Sequence, residues 1–443
     1  MFWECAETIA YSYDPASQVT NILHQLVSSA TQINQTAYAY NGVGNLTSLT
    51  DRRGPQTFGY DSLDRLTSAS HPLLGTAQSF AYAPVGNRTT GGSVVNSGNQ
   101  LTADANFTYQ YDDNGNRTRK TLLATGNFTQ FTYDAENRLT KVEDFAAGNP
   151  TPAATSTYRY DGLGRRIEKV ANGQTKRYIY DGEDILLEYD GANVLQARYT
   201  HGPGIDEPIA VTKGGATFFY HQDGLGTVTD LTDSAGAIAK SYAYDAYGTI
   251  LESPGTLEQP YTYTGREFDA ESGLYYYRAR YYDPMVGRFN SADPIGLFGG
   301  MNLYRYVSNN PAGLKDVWGL EPGQPFPSPD LAAIDAIDCV CKKAKKKLRF
   351  EWGGYIYQRG PSYYASDPRT DGISYKVDPG TPLSDDVRAE YHTHNSVTGT
   401  NIPTPDADFH HSRTGEPFTN YIGLPDCNQI LKFVPGLGVI RIR

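Results

Sequence analysis

Apolar and aromatic positions along most of the chain recur every second residue, in short runs that end on a tyrosine. Phe107-Thr-Tyr109-Gln-Tyr111 is one such run. A period of two is the pleat of a strand with one buried face. The run gives way to Asp-x-x-Gly-Asn, as in Tyr111-Asp-Asp-Asn-Gly-Asn-Arg-Thr. Glycine accepts positive φ and Asx side chains bond the local backbone, so this stretch predicts a tight turn. A second strand starts at the Arg/Leu-Thr that follows, and each unit therefore predicts a β-hairpin.

The unit recurs. Tyr40-Asn-Gly-Val-Gly-Asn-Leu-Thr, Tyr60-Asp-Ser-Leu-Asp-Arg-Leu-Thr, Tyr82-Ala-Pro-Val-Gly-Asn-Arg-Thr, Tyr133-Asp-Ala-Glu-Asn-Arg-Leu-Thr and Tyr160-Asp-Gly-Leu-Gly-Arg-Arg-Ile are copies, with Tyr180-Asp181 and Tyr244-Asp245 partial ones. An isolated hairpin is marginal in water, so the units must stack edge to edge into a continuous sheet. These residues resemble the YD/RHS repeat family over about residues 10–320. The resemblance implies a mainly β fold: hairpin repeats forming a spiralling sheet or hollow shell around a C-terminal cargo, followed here by a small α+β domain. Residues 1–219 read as the repeats. The tyrosines and aspartates are structural on this reading; carbohydrate binding by so many aromatics is a weaker alternative.

Residues 220–320 change character. Tyr220-His-Gln-Asp-Gly-Leu-Gly-Thr, Gly273-Leu-Tyr-Tyr-Tyr-Arg-Ala-Arg-Tyr-Tyr-Asp-Pro, Gly287-Arg-Phe-Asn-Ser-Ala-Asp-Pro-Ile-Gly-Leu297, Asn302-Leu-Tyr-Arg-Tyr-Val-Ser-Asn-Asn-Pro311 and Asp316-Val-Trp-Gly-Leu320 are dense and specific. They resemble the RHS-associated core, which plugs the shell and cuts its own chain after the last such Leu. That resemblance implies cleavage after Leu320. Two neighbouring carboxylates resist ionising together, so a pair can act as acid and base on a peptide bond. Asp293 and Asp316 are the candidate pair, with Arg288 to hold or tune one of them. Val317 stands where the family carries Pro.

Beyond Leu320 the Tyr-Asp pattern stops. Residues 321–329 are Pro-rich and read as a linker. Residues 330–349 read as a helix, with Leu331, Ile334, Ile337 and Leu348 near a 3.6 period and Asp330 as N-cap. Strands are predicted at Arg349–Gln358, Tyr363–Ala365, Ser374–Val377, Ala389–His394, Tyr421–Leu424, Ile430–Val434 and Val439–Arg443. His392-Thr-His394 on a strand puts both imidazoles on one face, a metal-ligand spacing. Asp408 (or Asp406) can add a carboxylate, and two His plus one carboxylate suit catalytic zinc. Glu351 can then act as base on the zinc-bound water. The order Glu, His-x-His, Asp resembles the JAB/MPN metalloprotease fold, which hydrolyses peptide or isopeptide bonds, including those at ubiquitin-like modifiers. Ile402 and Pro405 occupy the family's Ser and Asp places. The shifted Pro403-Thr-Pro-Asp-Ala-Asp408 offers Thr404, or Ser396 upstream, to polarise the carbonyl.

Composition and charge narrow this reading. Tyr accounts for 35 residues and Gly for 45, with only 3 Met, which favours many short strands over a helix-rich enzyme. Residues 321–443 hold 14 Lys and Arg against 15 Asp and Glu, so −10 of the net −11 falls on residues 1–320. An acidic repeat surface is a poor nucleic-acid binder. Four cysteines make no disulfide framework, and no CxxC spacing offers a thiolate zinc site. Neither a signal peptide nor a membrane-spanning run is visible. The expected protein is delivered outside its cell without a visible signal, and its tip acts inside a target cell. The implied partners are a polypeptide or ubiquitin-like-modified substrate, an immunity protein and a secretion or shell component. A nuclease tip, using the basic run Lys342–Lys347 and the histidines, is the alternative enzyme. A non-enzymatic adhesive repeat protein is the other.

Overall fold

The computed structural model describes residues 7–320, apart from positions 28, 203, 295 and 297–299, together with six strand segments between 352 and 441. The chain divides into two compact units, Met1–Leu297 with Met301–Gly319, and Phe298–Gly300 with Leu320–Arg443.

The first unit is built almost wholly from antiparallel meanders. Seven strands, from Glu7–Tyr13 to Gln78–Ser79, pair in chain order. Fifteen more, from Val94–Val95 to Ile238–Ser241, do the same. The hairpin design continues through Ala216–Gln222 and Val228–Asp233. Within a unit the alternation behaves as the period predicts: Tyr109 is buried, while its neighbour Gln110 is exposed. Phe131, Tyr158, Tyr178, Tyr199 and Tyr220 occupy the same place in their own strands and are also buried.

The turn chemistry is equally regular. Asp112 Oδ1 accepts hydrogen bonds from the backbone N–H of Asn114 (3.0 Å) and Asn116 (2.8 Å). Asp61, Asp134, Asp161, Asp190, Asp223 and Asp245 repeat that pattern. The fourth turn residue sits in the left-handed region, as with Gly115 at φ +82, and Asp64, Asn137 and Asn193 take the glycine's place at φ +61.

In six of the units the repeat tyrosine has a second task that phenylalanine could not perform. Its hydroxyl donates to the carbonyl of the first residue of the preceding return strand, at 2.6–2.9 Å. Tyr40 reaches Val19, Tyr60 Leu46, Tyr82 Leu66, Tyr160 Leu139, Tyr180 Arg166 and Tyr244 Val228. The arginine of the turn adds a further tie. Arg65, Arg138 and Arg165 pair with the turn aspartate four residues earlier and lie over the ring of Tyr82, Tyr160 and Tyr180. The repeat is thus stapled to its neighbour by side chains as well as by the ladder.

A four-stranded sheet, Glu267–Asp269, Leu274–Tyr277, Arg280–Asp283 and Arg288–Phe289, is buried almost throughout. Tyr275, Tyr277, Tyr282, Phe289 and Tyr306 form its aromatic centre, each fully buried. Return-strand arginines reach it from the repeats. Arg117 pairs with Asp283 at 2.8 Å, and Arg166 pairs with Glu267 at 2.7 Å and also with Asp269.

In the second unit a six-stranded sheet runs in the order Ser362–Ala365, Trp352–Arg359, Val387–Thr393, Thr419–Gly423, Ile430–Val434, Gly438–Arg441. One pairing, Val387–Thr393 with Thr419–Gly423, is parallel. These segments lie close to six of the strands predicted from sequence. The predicted helix 330–349 and strand Ser374–Val377 lie outside the described residues.

Candidate self-cleavage site

The site grows from one hairpin. Tyr277 pairs with Arg280, so Arg278-Ala279 is a two-residue turn, with Arg278 at φ +55. The three residues 278–280 grip three successive carbonyls of the segment before Leu320. Arg278 donates to the carbonyl of Val317, the Ala279 N–H to that of Trp318 at 3.2 Å, and Arg280 Nε to that of Gly319. Arg278 also stacks on the Trp318 ring and pairs with Asp206 at 2.8 Å.

Arg280 is the centre of this arrangement. Its guanidinium stacks on Phe289 at 3.7 Å and donates to the Leu303 carbonyl at 3.0 Å. Its Nη2 lies 3.0 Å from Asp293 Oδ2 and 3.7 Å from Asp316 Oδ2, an ion-pair contact with no aligned hydrogen bond. All three side chains are within 2% of complete burial. Two carboxylate oxygens that share one nitrogen lie within about 7 Å of each other, close enough to couple strongly away from water. Asp316 also shapes the backbone: its Oδ1 accepts from the N–H of Trp318 (3.2 Å) and of Gly319 (2.8 Å). Gly319 is at φ +71, and a Cβ there would lie 2.4 Å from the Tyr277 carbonyl oxygen, so only glycine fits. Leu320 is buried.

Asp293, Asp316 and the segment leading to Leu320, the candidates named from the sequence, lie together around Arg280. The cation differs from the one chosen there. Arg288 donates to Asn87 Oδ1 at 2.9 Å and to the Asn99 carbonyl, lies 3.5 Å from Asn302 Oδ1, and is lowered by burial to about 10. The guanidinium within ion-pair reach of both carboxylates is Arg280's. Two arginines inside the aromatic run Tyr-Tyr-Tyr-Arg-Ala-Arg-Tyr-Tyr were the available signal, because a charge in a buried strand needs a buried partner.

Of the proposed zinc set, only His392 falls in a described strand, where the register places it opposite Gly353 and Ile422. Glu351, His394, Ser396, Thr404, Asp406 and Asp408 lie outside the described residues. Among the described residues, no group of three or more His, Cys, Asp or Glu is arranged to hold a metal ion. No described helix is long and apolar enough to cross a membrane.

A family model for the Teneurin YD-shell matches residues 75–312, and one for the RHS repeat matches residues 40–76. The chain belongs to the teneurin YD-shell family. Among curated proteins, this YD-shell chain is 36% identical over 273 residues to a tRNA3(Ser)-specific nuclease WapA of Bacillus spizizenii, covering 57% of the chain and 11% of that protein. It is 32% identical over 324 residues to Double-stranded DNA deaminase toxin A of Burkholderia cenocepacia, covering 64% and 22%. Toxin subunit YenC1 of Yersinia entomophaga matches at 26% over 372 residues, covering 72% and 37%. The chain thus spans between 11% and 37% of the length of these relatives. The crystal structure of TcdB2-TccC3 superimposes with a TM-score of 0.51 at 23% identity, over 71% of this chain and 19% of that one, which establishes a shared shell fold.

Proposed function

We propose that the YD-shell unit carries a C-terminal effector and frees it by cutting its own chain after Leu320. The observation that supports this reading most is the convergence of Asp293, Asp316 and the Gly319 carbonyl on the Arg280 guanidinium. In the proposed reaction one carboxyl protonates the Leu320 carbonyl oxygen while the other, as carboxylate, takes a proton from a water attacking the carbonyl carbon. The C–N bond to Glu321 then breaks, and the nitrogen leaves with a proton. Arg280 orients both acids and the segment before the bond. Residues 321–443 are the released part.

For that part we keep the zinc-dependent peptide or isopeptide hydrolase reading, with His392, His394 and Asp408 or Asp406 as ligands, Glu351 as base and Thr404 beside the substrate carbonyl. Zinc would supply an activated water. A nucleic-acid-directed toxin is the second reading, favoured by relatives named as a tRNA nuclease and a DNA deaminase. The YD-shell match covers residues 75–312, short of the released part, and the names are those of the relatives. Delivery into a target cell, an immunity protein and a secretion or shell partner follow from the toxin reading.

The full chain, purified with and without Asp293→Asn and Asp316→Asn, tests the first part by intact mass. Fragments ending at Leu320 and beginning at Glu321 are expected from the unsubstituted chain and from neither variant. A chain that stays whole, or variants that still cut, would overturn it. Bound zinc near one per chain, lost in His392→Ala, separates the two effector readings together with an assay on RNA, DNA and polypeptide substrates.

A further inference from the structure

Tyr133 departs from the tyrosine staple. By the pattern of the other units its hydroxyl would reach the carbonyl of Arg117, the first residue of Arg117–Leu122. It is instead buried without a hydrogen-bond partner among the described residues. Asn290 is fully buried, and neither its Oδ1 nor its Nδ2 has a partner among those residues. Arg280 Nη2 forms no aligned hydrogen bond to them either. Each buried polar atom left unpaired costs about 1–3 kcal/mol, so a folded core seldom keeps several side by side.

These three residues are among those lining one small cavity of about 10 Å³, whose wall also carries Asn137, Arg138 and Arg278. That volume accommodates the centre of a single water molecule. The backbone holds Asn290 firmly at the cavity wall, its N–H donating to the Tyr281 carbonyl at 2.8 Å and its own carbonyl accepting from the Arg117 N–H at 2.9 Å. The polar groups at the cavity also suit water chemically. Asn290 Nδ2 and Arg280 Nη2 are donors, Asn290 Oδ1 is an acceptor, and the Tyr133 hydroxyl can be either.

We propose that Tyr133, Asn290 and Arg280 bind one buried water molecule, which fixes the Arg280 guanidinium between Asp293, Asp316 and the Gly319 carbonyl. The water accepts from Arg280 and from the Asn290 amide and donates to Asn290 Oδ1 and Tyr133 Oη. Release of the Tyr133 hydroxyl from the repeat's staple is what makes the fourth bond available. Asn290 and Tyr133 are positioning residues for Arg280. The water site stands on its own geometry, and its consequence for cleavage rests on the self-cleavage reading.

A high-resolution crystal structure of the full chain is expected to show one ordered water within hydrogen-bond reach of Tyr133 Oη and Asn290; an empty cavity would overturn the site. Asn290→Leu fills the cavity with methyl groups. It is expected to slow cleavage roughly tenfold or more and to displace its pH profile, since small misplacements of a charged group are costly at a reacting centre. Asn290→Ser, which leaves room for water, should restore most of the rate and the original profile. If Asn290→Leu misfolds, Tyr133→Phe gives the same readout with only an oxygen removed. Cleavage by the folded variants at the unsubstituted rate and pH profile would refute the positioning role. An unsubstituted chain that never cuts would refute self-cleavage instead, and the density alone would then decide the water.

Discussion

Buried arginines of the repeats hold the buried four-stranded sheet Glu267–Phe289, and Arg166 tests this. Its side chain is 1% exposed. Nη2 contacts Glu267 at 2.7 Å, and Nη1 contacts Asp269 and, at 3.0 Å, the Tyr281 hydroxyl. Lys169 reaches Asp269 at 2.8 Å from the same strand. Burial by itself would raise Asp269, but Arg166 and Lys169 outweigh it and hold the carboxyl below the ordinary range. Arg166→Met keeps much of the packing on the Tyr276 ring and removes the charge. Glu267 then loses the guanidinium, and Asp269 keeps only Lys169. Removing one partner of a buried pair costs about 3–5 kcal/mol, because a desolvated charge is left behind. With a urea m-value of roughly 3 kcal/mol per molar for a unit of this size, the midpoint should fall by about 1–1.7 M. Urea unfolding at pH 7.5, followed by tyrosine fluorescence, measures it. Adding Asp269→Asn and Glu267→Gln should recover about half of the loss. The pH dependence gives a second handle. A depressed carboxylate stabilises the fold above its unfolded pKa, and that stability is lost as pH falls through the folded one. The gap between variant and parent should therefore narrow on acidification. A midpoint unchanged within about 0.2 M would refute the anchoring argument.

Tyr60→Phe should cost about 1–2 kcal/mol by leaving the Leu46 carbonyl unpaired; an unchanged urea midpoint would sink the staple. Gly319→Ala should sharply slow appearance of the 321–443 fragment, since its Cβ would meet the Tyr277 carbonyl and displace the gripped segment; cleavage at the parent rate would contradict the geometry. Burial lowers both His24 and His221, the latter to about 3, while it raises the neighbouring Glu7. The unfolded histidines bind protons that the folded ones refuse. Their stabilising effect is thus complete above about pH 6.5 and lost by up to 1.4 kcal/mol per histidine for each unit below it, with Glu7 offsetting part. Melting temperatures from pH 7.5 to 5.5 should fall more steeply for the parent than for His221→Gln, and parallel slopes would argue against the pair.

What could be read directly from the residues was local. Asp-x-x-Gly-Asn turns, period-two strands and the tyrosine ending each run depend on neighbours a few positions away, so the hairpins, the mainly β class and six strands of the second unit were legible. Asp293 and Asp316 were singled out together because the motifs around them are distinctive. The cation that joins them was not. Arg280 and Arg288 are both arginines in aromatic surroundings, and only the two-residue turn at Arg278-Ala279 aims one of them at Gly319 and the two acids. Arg288 is taken up instead by Asn87, about 200 positions earlier. The same holds for Tyr133, whose motif matches the other repeat tyrosines while its hydroxyl does not share their bond. A period fixes which face a side chain occupies. Which partner meets it there is settled by how distant strands pack, because a buried polar atom must pair with whatever the fold brings within reach.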